Sequence, residues 1–348
     1  MHYDEIISWL RETDSGRLDA LYAKADETRS RFVGDEVHLR GLIEVSNYCC
    51  RSCAYCGLRG GNRDLQRYRL TPEEILEAAR AAVSNGYGTV VMQAGEDHGI
   101  TAGWLADVIH RIKKETGLAV TLSMGERAES DLAEWRHAGA DRYLLRFETT
   151  DPELYRKIHP APPGAPSRIA LLQKLRQMGY ETGSGVMIGI PGQSYETLTR
   201  DILAFRELDL DMIGVGPYIP HPATPLGRGL LHSDLREGEQ APATEDMCYR
   251  VLALTRIVCP QANIPATTAL ATINGRSGRE LGLQRGANVI MPNVTPLEYR
   301  RLYEIYPGKA CITESPQHCG TCIRSRIHAI GRTVGTGPGG RVREAVPA

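Results

Sequence analysis

Cys49-Cys50-Arg51-Ser52-Cys53-Ala54-Tyr55-Cys56-Gly57 follows shortly after the apolar, strand-like run Val37–Val45 and spaces three cysteines as C-x3-C-x2-C. Three thiolates on such a loop can wrap one face of a cubane iron–sulfur cluster. With no fourth cysteine in that register, one iron stays open to bind a small molecule and pass it an electron. A second register, Cys50-x2-Cys53-x2-Cys56, shares two of the thiols. Ferredoxin loops of that kind run on to a further cysteine and a proline, whereas this one continues Gly57-Leu58-Arg59, so Cys49 is the better first ligand. Zinc is the plainer alternative, but it takes four ligands from paired knuckles and no second knuckle lies within reach.

Outward from this loop the chain alternates. Strand-like runs stand at Val37–Val45, Thr89–Gln93, Ala119–Ser123, Arg142–Arg146, Gly185–Ile190, Met212–Gly216, Asn263–Thr267 and Asn288–Met291. Helical patterns separate them, among them Pro72–Ser84, Trp104–Glu115, Ser167–Met178, Tyr195–Glu207 and Glu245–Val258. Thr71-Pro72-Glu73-Glu74 has the letters of a capping box with proline at the first helical position, and Thr295-Pro296-Leu297-Glu298 repeats them. Eight strands alternating with helices predict an α/β fold of the (β/α)8 TIM-barrel type, with reactive residues on the loops after the strands. The expected layout is a helical segment over 1–36, a barrel over 37–310 and a C-terminal extension over 311–348. The segment Pro220–Ala243 reads as a long loop, and the Gly/Pro-rich tail Arg332–Ala348 as a surface wrap.

A net charge of −1 offers no basic excess for a polyanionic partner, which argues against nucleic acid. Met1-His2-Tyr3-Asp4-Glu5 lacks the order of a secretory signal, and no apolar run reaches the roughly 18 residues of a membrane span. The expected location is the cytoplasm, anaerobic because an open cluster is oxygen-labile. Of nine cysteines, six fall in two triads, Cys49/Cys53/Cys56 and Cys311/Cys319/Cys322, a clustering that suits metal ligation rather than a disulfide framework. Cys248 and Cys259 read as buried small hydrophobes. Gly335-Thr336-Gly337-Pro338-Gly339-Gly340 matches G-x-G-x-x-G in letters, but it neither follows a strand nor opens a helix. His159 and His221, beside prolines, suit structural or solvated roles better than ligation.

The cysteine loop after the first strand, with Tyr55 just before its last cysteine, resembles the radical S-adenosylmethionine (SAM) superfamily. That resemblance implies a 4Fe–4S cluster on Cys49, Cys53 and Cys56, whose open iron is chelated by SAM, and release of a 5′-deoxyadenosyl radical on reduction. It implies cofactor contacts from Tyr55, Gln93, Gly95 and Glu96 at the end of the second strand. Ser123, Glu148, Arg168 and Met212 complete the implied set, with Glu148 on SAM, Arg168 on its carboxylate, and Ser123 and Met212 at the nucleoside.

The runs Arg142–Arg146, Gly189–Gln193, Gly216–Pro222, Asn263–Thr268 and Gly286–Pro292 narrow the resemblance to the HydE family of FeFe-hydrogenase maturases, over nearly the whole stretch from Asp35 to Ile330. That family implies a role in assembling the diiron subcluster of the hydrogenase H-cluster. Its implied substrate is a cysteine-bound iron carbonyl cyanide made by the maturase HydG, and its product passes toward HydF. An electron donor for the cluster is implied as well. The second triad, Cys311, Cys319 and Cys322, corresponds to an accessory iron–sulfur cluster, 2Fe–2S or 4Fe–4S; with His318 it could instead bind zinc.

Residue chemistry supports an anionic substrate. Arg40 and Arg146 point inward if strand alternation holds, and a buried arginine needs a partner, either a substrate anion or an internal carboxylate such as Glu44 or Glu148. Thr267, Thr268, Tyr303 and Tyr306 add neutral donors. The competing expectations are a related radical SAM enzyme acting on an amino acid, such as methylornithine synthase, and a zinc-stabilised binding module.

Overall fold

A computed structural model describes residues 1–161, 167–231, 233, 235–313 and 316–342, without the side chains of 316–319. Two helices, Tyr3–Leu10 and Ser15–Val33, precede the first strand, and Asp14 caps the second of them by accepting from Arg17 N. The strands are β1 (Glu36–Ser46), β2 (Thr89–Ala94), β3 (Ala119–Ser123), β4 (Arg142–Leu144), β5 (Glu181–Ile188), β6 (Met212–Pro217), β7 (Val289–Ile290) and β8 (Thr333–Val334). They pair in the order β6-β5-β4-β3-β2-β1-β7, every pair parallel.

The two sheet edges meet through segment 263–265, where parallel bridges join Met212 to Asn263 and Pro265 to Val289. The eighth barrel strand expected at Asn263–Thr267 is therefore reduced to single bridges. Pro265 has no N–H to give a ladder, and Thr267 is already the N-cap of the helix Thr268–Ile273.

β1 shows why a barrel forms. Its outward residues Val37, Leu39, Ile43 and Val45 join the main apolar core, while Arg40, Leu42 and Glu44 line an internal cavity. A strand buried on both faces needs apolar residues outside and leaves the inside free for chemistry. Helix Pro72–Ser84 carries the capping box read from its sequence, with Thr71 and Glu74 bonded reciprocally. The second such motif does not form: Pro296 precedes a single turn, Leu297–Arg300, and Thr295 Oγ1 instead accepts from the Glu44 backbone N–H at 2.9 Å.

The tail also departs from expectation. β8 pairs with the start of β1, and the following residues run into the N-terminal end of the barrel rather than over its surface. Gly339 O accepts from Arg40 Nη2 at 2.9 Å and from Asn263 Nδ2 at 3.2 Å, and Pro338 O accepts from Thr89 Oγ1 at 2.9 Å. The glycine-rich motif is thus a floor for the barrel. A Cβ on Gly88 would lie 1.7 Å from Gly337 O, so the fit depends on a bare backbone there. Residues 343–348 of the tail lie outside the described residues.

Candidate active site

The cysteine loop hangs from the C-terminal end of β1 and is fastened on three sides. Cys50 N donates to Glu96 O at 2.9 Å, Ala54 N to Ile158 O at 2.7 Å, and Gly57 N to Ile305 O at 3.0 Å. Arg67 ties its exit, donating to the carbonyls of Leu58, Arg59 and Asn62. Gly95 packs against its entry: a Cβ there would stand 2.1 Å from Tyr48 O and 2.8 Å from Cys49 Cβ. The bare backbone of Gly95 therefore makes room for the cysteine loop.

Cys49, Cys53 and Cys56 are all free thiols. Burial pushes the Cys53 thiol up to about 12 and raises Cys56 as well, with the neighbouring Cys53 charge adding to the rise at Cys56. Buried thiols that resist ionising unaided suit a cationic iron site, which replaces their protons with positive charge.

Glu148 follows β4 with φ +63, the left-handed region that non-glycine residues rarely adopt. Its Oε2 is buried without a hydrogen-bond partner, as is Arg146 Nε, and the two stand 3.5 Å apart. Both residues line the cavity with Tyr55 and Cys56, so orphaned polar atoms face the space beside the thiols. Such groups want a ligand of mixed charge. Gln93 and Ser123 are paired in register across β2 and β3 and line the same space.

Glu96 and Arg168 stand back from the cavity in a buried charge network. Glu96 accepts from Arg51 Nε at 2.6 Å and from Glu126 N at 3.0 Å. Arg168 donates from Nε to Glu126 Oε1 at 2.8 Å and from Nη1 to Arg146 O at 2.7 Å. Glu126 is the hub, receiving Arg51 Nη2 at 2.7 Å on its other oxygen. Burial alone raises the Glu126 carboxyl, but the His159 hydrogen bond and the Arg168 and Arg51 charges outweigh it and hold the group at about 2.

The cavity, about 300 Å³, reaches from this mouth down to the tail. Met212 is the first residue of β6, not its end, and its sulfur meets Arg40 Nη1 at 3.0 Å on the floor. Arg40 is 4% exposed and has no carboxylate partner among the described residues, and its Nε is without a hydrogen bond. Burial, then repulsion from Arg142, lowers its pKa to about 9. Glu44, the internal partner considered for it, belongs instead to Lys309 and Asn293. Thr267, Thr268 and Tyr306 line the wall, whereas Tyr303 is buried behind it.

Four residues escaped sequence reasoning. Arg51 sits inside the cysteine loop and Lys309 two residues before Cys311, so adjacency was the only signal. Glu126 and Arg67 stand in turns with no motif at all. His159 proves structural rather than solvated, 1% exposed with Nδ1 2.9 Å from Cys53 Sγ. His221 likewise braces a loop, bonding Glu304 at 3.1 Å.

In the second triad, Cys311 has φ +62 and receives Arg279 Nη1 at 3.5 Å, and Cys322 is exposed on the helix Pro316–Ala329. The Cys319 and His318 side chains lie outside the described residues. Neither Cys311 nor Cys322 lines the cavity.

Among the described residues no helix is long and apolar enough to cross a membrane. Residues 43–204 match the model of the radical SAM superfamily. The chain is 48% identical over 330 residues to the [FeFe] hydrogenase maturase subunit HydE of Thermotoga maritima, covering 95% of this chain and 91% of that one. It is 29% identical over 300 residues to 3-methylornithine synthase of Methanosarcina acetivorans, covering 85% and 81%. The crystal structure of methylornithine synthase superposes with a TM-score of 0.81 at 24% identity, over 96% of this chain and 94% of that one, which supports the barrel fold. With a cysteine loop after β1, buried polar atoms without hydrogen bonds beside it and near-complete alignment to one curated maturase, this chain is a radical SAM enzyme and belongs to the HydE family.

Proposed function

We propose that the chain acts in FeFe-hydrogenase H-cluster assembly, on a cysteine-bound iron carbonyl cyanide seated in the barrel cavity. The observation that carries this reading is Arg40: a buried guanidinium on the floor of a cavity of about 300 Å³, with an idle Nε and no carboxylate partner among the described residues. A buried cation of that kind calls for an anion. Arg146, Thr267, Thr268 and Tyr306 line the same cavity and orient the ligand's polar groups; Tyr303 supports them from behind.

Cys49, Cys53 and Cys56 would hold a 4Fe–4S cluster at the mouth. When bound and reduced, the cluster and SAM supply a 5′-deoxyadenosyl radical. Glu148 offers an acceptor to the SAM ammonium, while Glu96 and Arg168, given by the resemblance to the ammonium and carboxylate, stand behind that site and brace the cysteine loop and Arg146 around it. Tyr55, Gln93 and Ser123 flank the nucleoside, and Gly95 lets the cysteine loop sit close enough to them. Met212 contributes to the floor with Arg40 rather than to the nucleoside site. The apolar wall, including Leu42, Val91 and Val289, keeps water from the reacting centre.

HydG would supply the substrate, HydF would receive the product, and an electron donor would reduce the cluster. Cys311, Cys319 and Cys322 would carry an accessory iron–sulfur cluster away from the reaction. The test is 5′-deoxyadenosine release by the anaerobically reconstituted, reduced protein, with and without the HydG product and with free lysine as control. Stimulation by the iron complex alone supports the maturase reading. Stimulation by lysine alone transfers the chain to amino-acid chemistry of the methylornithine synthase kind.

A further inference from the structure

We propose that His159 is a hydrogen-bond donor to the Cys53 ligand and thereby sets the reduction potential of the cluster. The inference rests on the assignment of the cluster to Cys49, Cys53 and Cys56. His159 stands at the C-terminal end of the helix Pro152–Ile158, its N–H donating to Tyr155 O at 2.8 Å. The preceding residue, Ile158, accepts from Ala54 N at 2.7 Å, so this turn and the cysteine loop are fastened together by backbone. The imidazole, 1% exposed, lies tilted against the Tyr155 ring, 5.1 Å between ring centres.

Its two nitrogens have different neighbours. Nδ1 is 2.9 Å from Cys53 Sγ. Nε2 is 3.1 Å from Arg168 Nη2 and 3.3 Å from Glu126 Oε1. Arg168, which only donates, and the Glu126 carboxylate, which only accepts, both face Nε2, so the tautomer is decided on the Cys53 side. A ligating thiolate has no proton of its own and can only accept. The contact with Cys53 is then N–H to sulfur. Hydrogen bonds to cluster sulfurs withdraw electron density and favour the more negative, reduced state, which raises the potential. Glu126, by holding Arg168, positions His159 at one remove.

The experiment is a redox titration followed by electron paramagnetic resonance, without SAM, in a Cys319→Ala, Cys322→Ala background so that one cluster titrates. His159→Phe removes the donor and His159→Gln keeps an N–H. The Phe variant is expected to titrate at a more negative midpoint, with the Gln variant close to its parent. An unchanged midpoint in an iron-loaded Phe variant overturns the proposal. Equal shifts in both variants overturn it too, since lost packing would then be the cause. Should the Phe variant fail to load iron, pulsed resonance on the parent labelled with 15N-histidine decides. A nitrogen coupling to the reduced cluster supports the contact, and its absence rejects it. Failure of the parent itself to bind iron and sulfide would instead count against the cluster assignment.

Discussion

Lys309 and Glu44 form an ion pair inside the barrel, their side chains 7% and 2% exposed. Glu44 also accepts from Asn293 Nδ2 at 3.0 Å, and Lys309 Nζ donates to Tyr303 O at 3.0 Å, so neither charge is left with water. Burial raises the Glu44 pKa, and the Lys309 charge is the largest effect opposing that rise. Lys309→Met strands the carboxylate and is expected to cost about 3–5 kcal/mol. Adding Glu44→Gln to it should restore most of the loss. Denaturant melts of the iron-free proteins measure both, and a double variant as weak as the single one would rule out the charge as the cause.

Arg40 presents the reverse case, a buried charge kept without a carboxylate. Arg40→Gln removes an uncompensated cation and is expected to stabilise the iron-free protein by about 1–2 kcal/mol, as substitutions in binding sites often do. The same change should weaken stimulation by the iron complex at least tenfold (roughly 1.4 kcal/mol). A variant that is less stable and equally responsive would remove Arg40 from the substrate site.

Replacing one cysteine in each triad separates their roles. Cys53→Ala should abolish SAM cleavage, because two thiolates cannot hold the cubane, and retained cleavage would sink the assignment. Cys319→Ala should lower iron per chain while leaving the resonance signal of the first cluster in place. Loss of that signal in a folded variant would show that the two triads depend on each other.

Asp201 supplies a pH prediction. It is fully buried on the helix Tyr195–Glu207 and accepts from Thr150 N at 2.6 Å and Thr150 Oγ1 at 2.7 Å. Burial pushes its carboxyl from 3.8 up to about 7, against the hydrogen bonds that lower it. Because the folded value is the higher one, its contribution is complete below pH about 4 and is lost as pH rises through about 7, for roughly 3–4 kcal/mol in all. Asp201→Asn should flatten that part of the stability–pH curve. Parallel curves for the two proteins would refute the shift.

The sequence disclosed what local chemistry decides. Pro72–Ser84, Tyr195–Glu207 and Glu245–Val258 begin and end where they were read, because Thr71, Ser194 and Thr244 cap them from the adjoining residue. The first thiol loop was legible for the same reason: its ligands are contiguous. Thr295 shows the limit, since a perfect local motif lost its hydroxyl to a strand far away in the chain. The tail reads as surface because its attachments to Arg40, Thr89 and Asn263 are carbonyl oxygens, which leave no mark in the letters. Glu126, Arg51 and Lys309 were hidden likewise, being single charges whose meaning comes from partners on other loops.

The barrel floor has a consequence for how the protein is made. Arg40 leaves the ribosome 299 residues ahead of Gly339, whose carbonyl receives its Nη2. Until that glycine arrives, the guanidinium has only bulk water at the base of an unfinished cylinder. Strand β1 can pair early with β2, but the vessel cannot hold its contents apart from solvent until the glycine-rich segment 335–340 lies beneath Thr89 and Asn263. Nascent chains stalled before Gly335 are therefore expected to be folded tubes open at both ends.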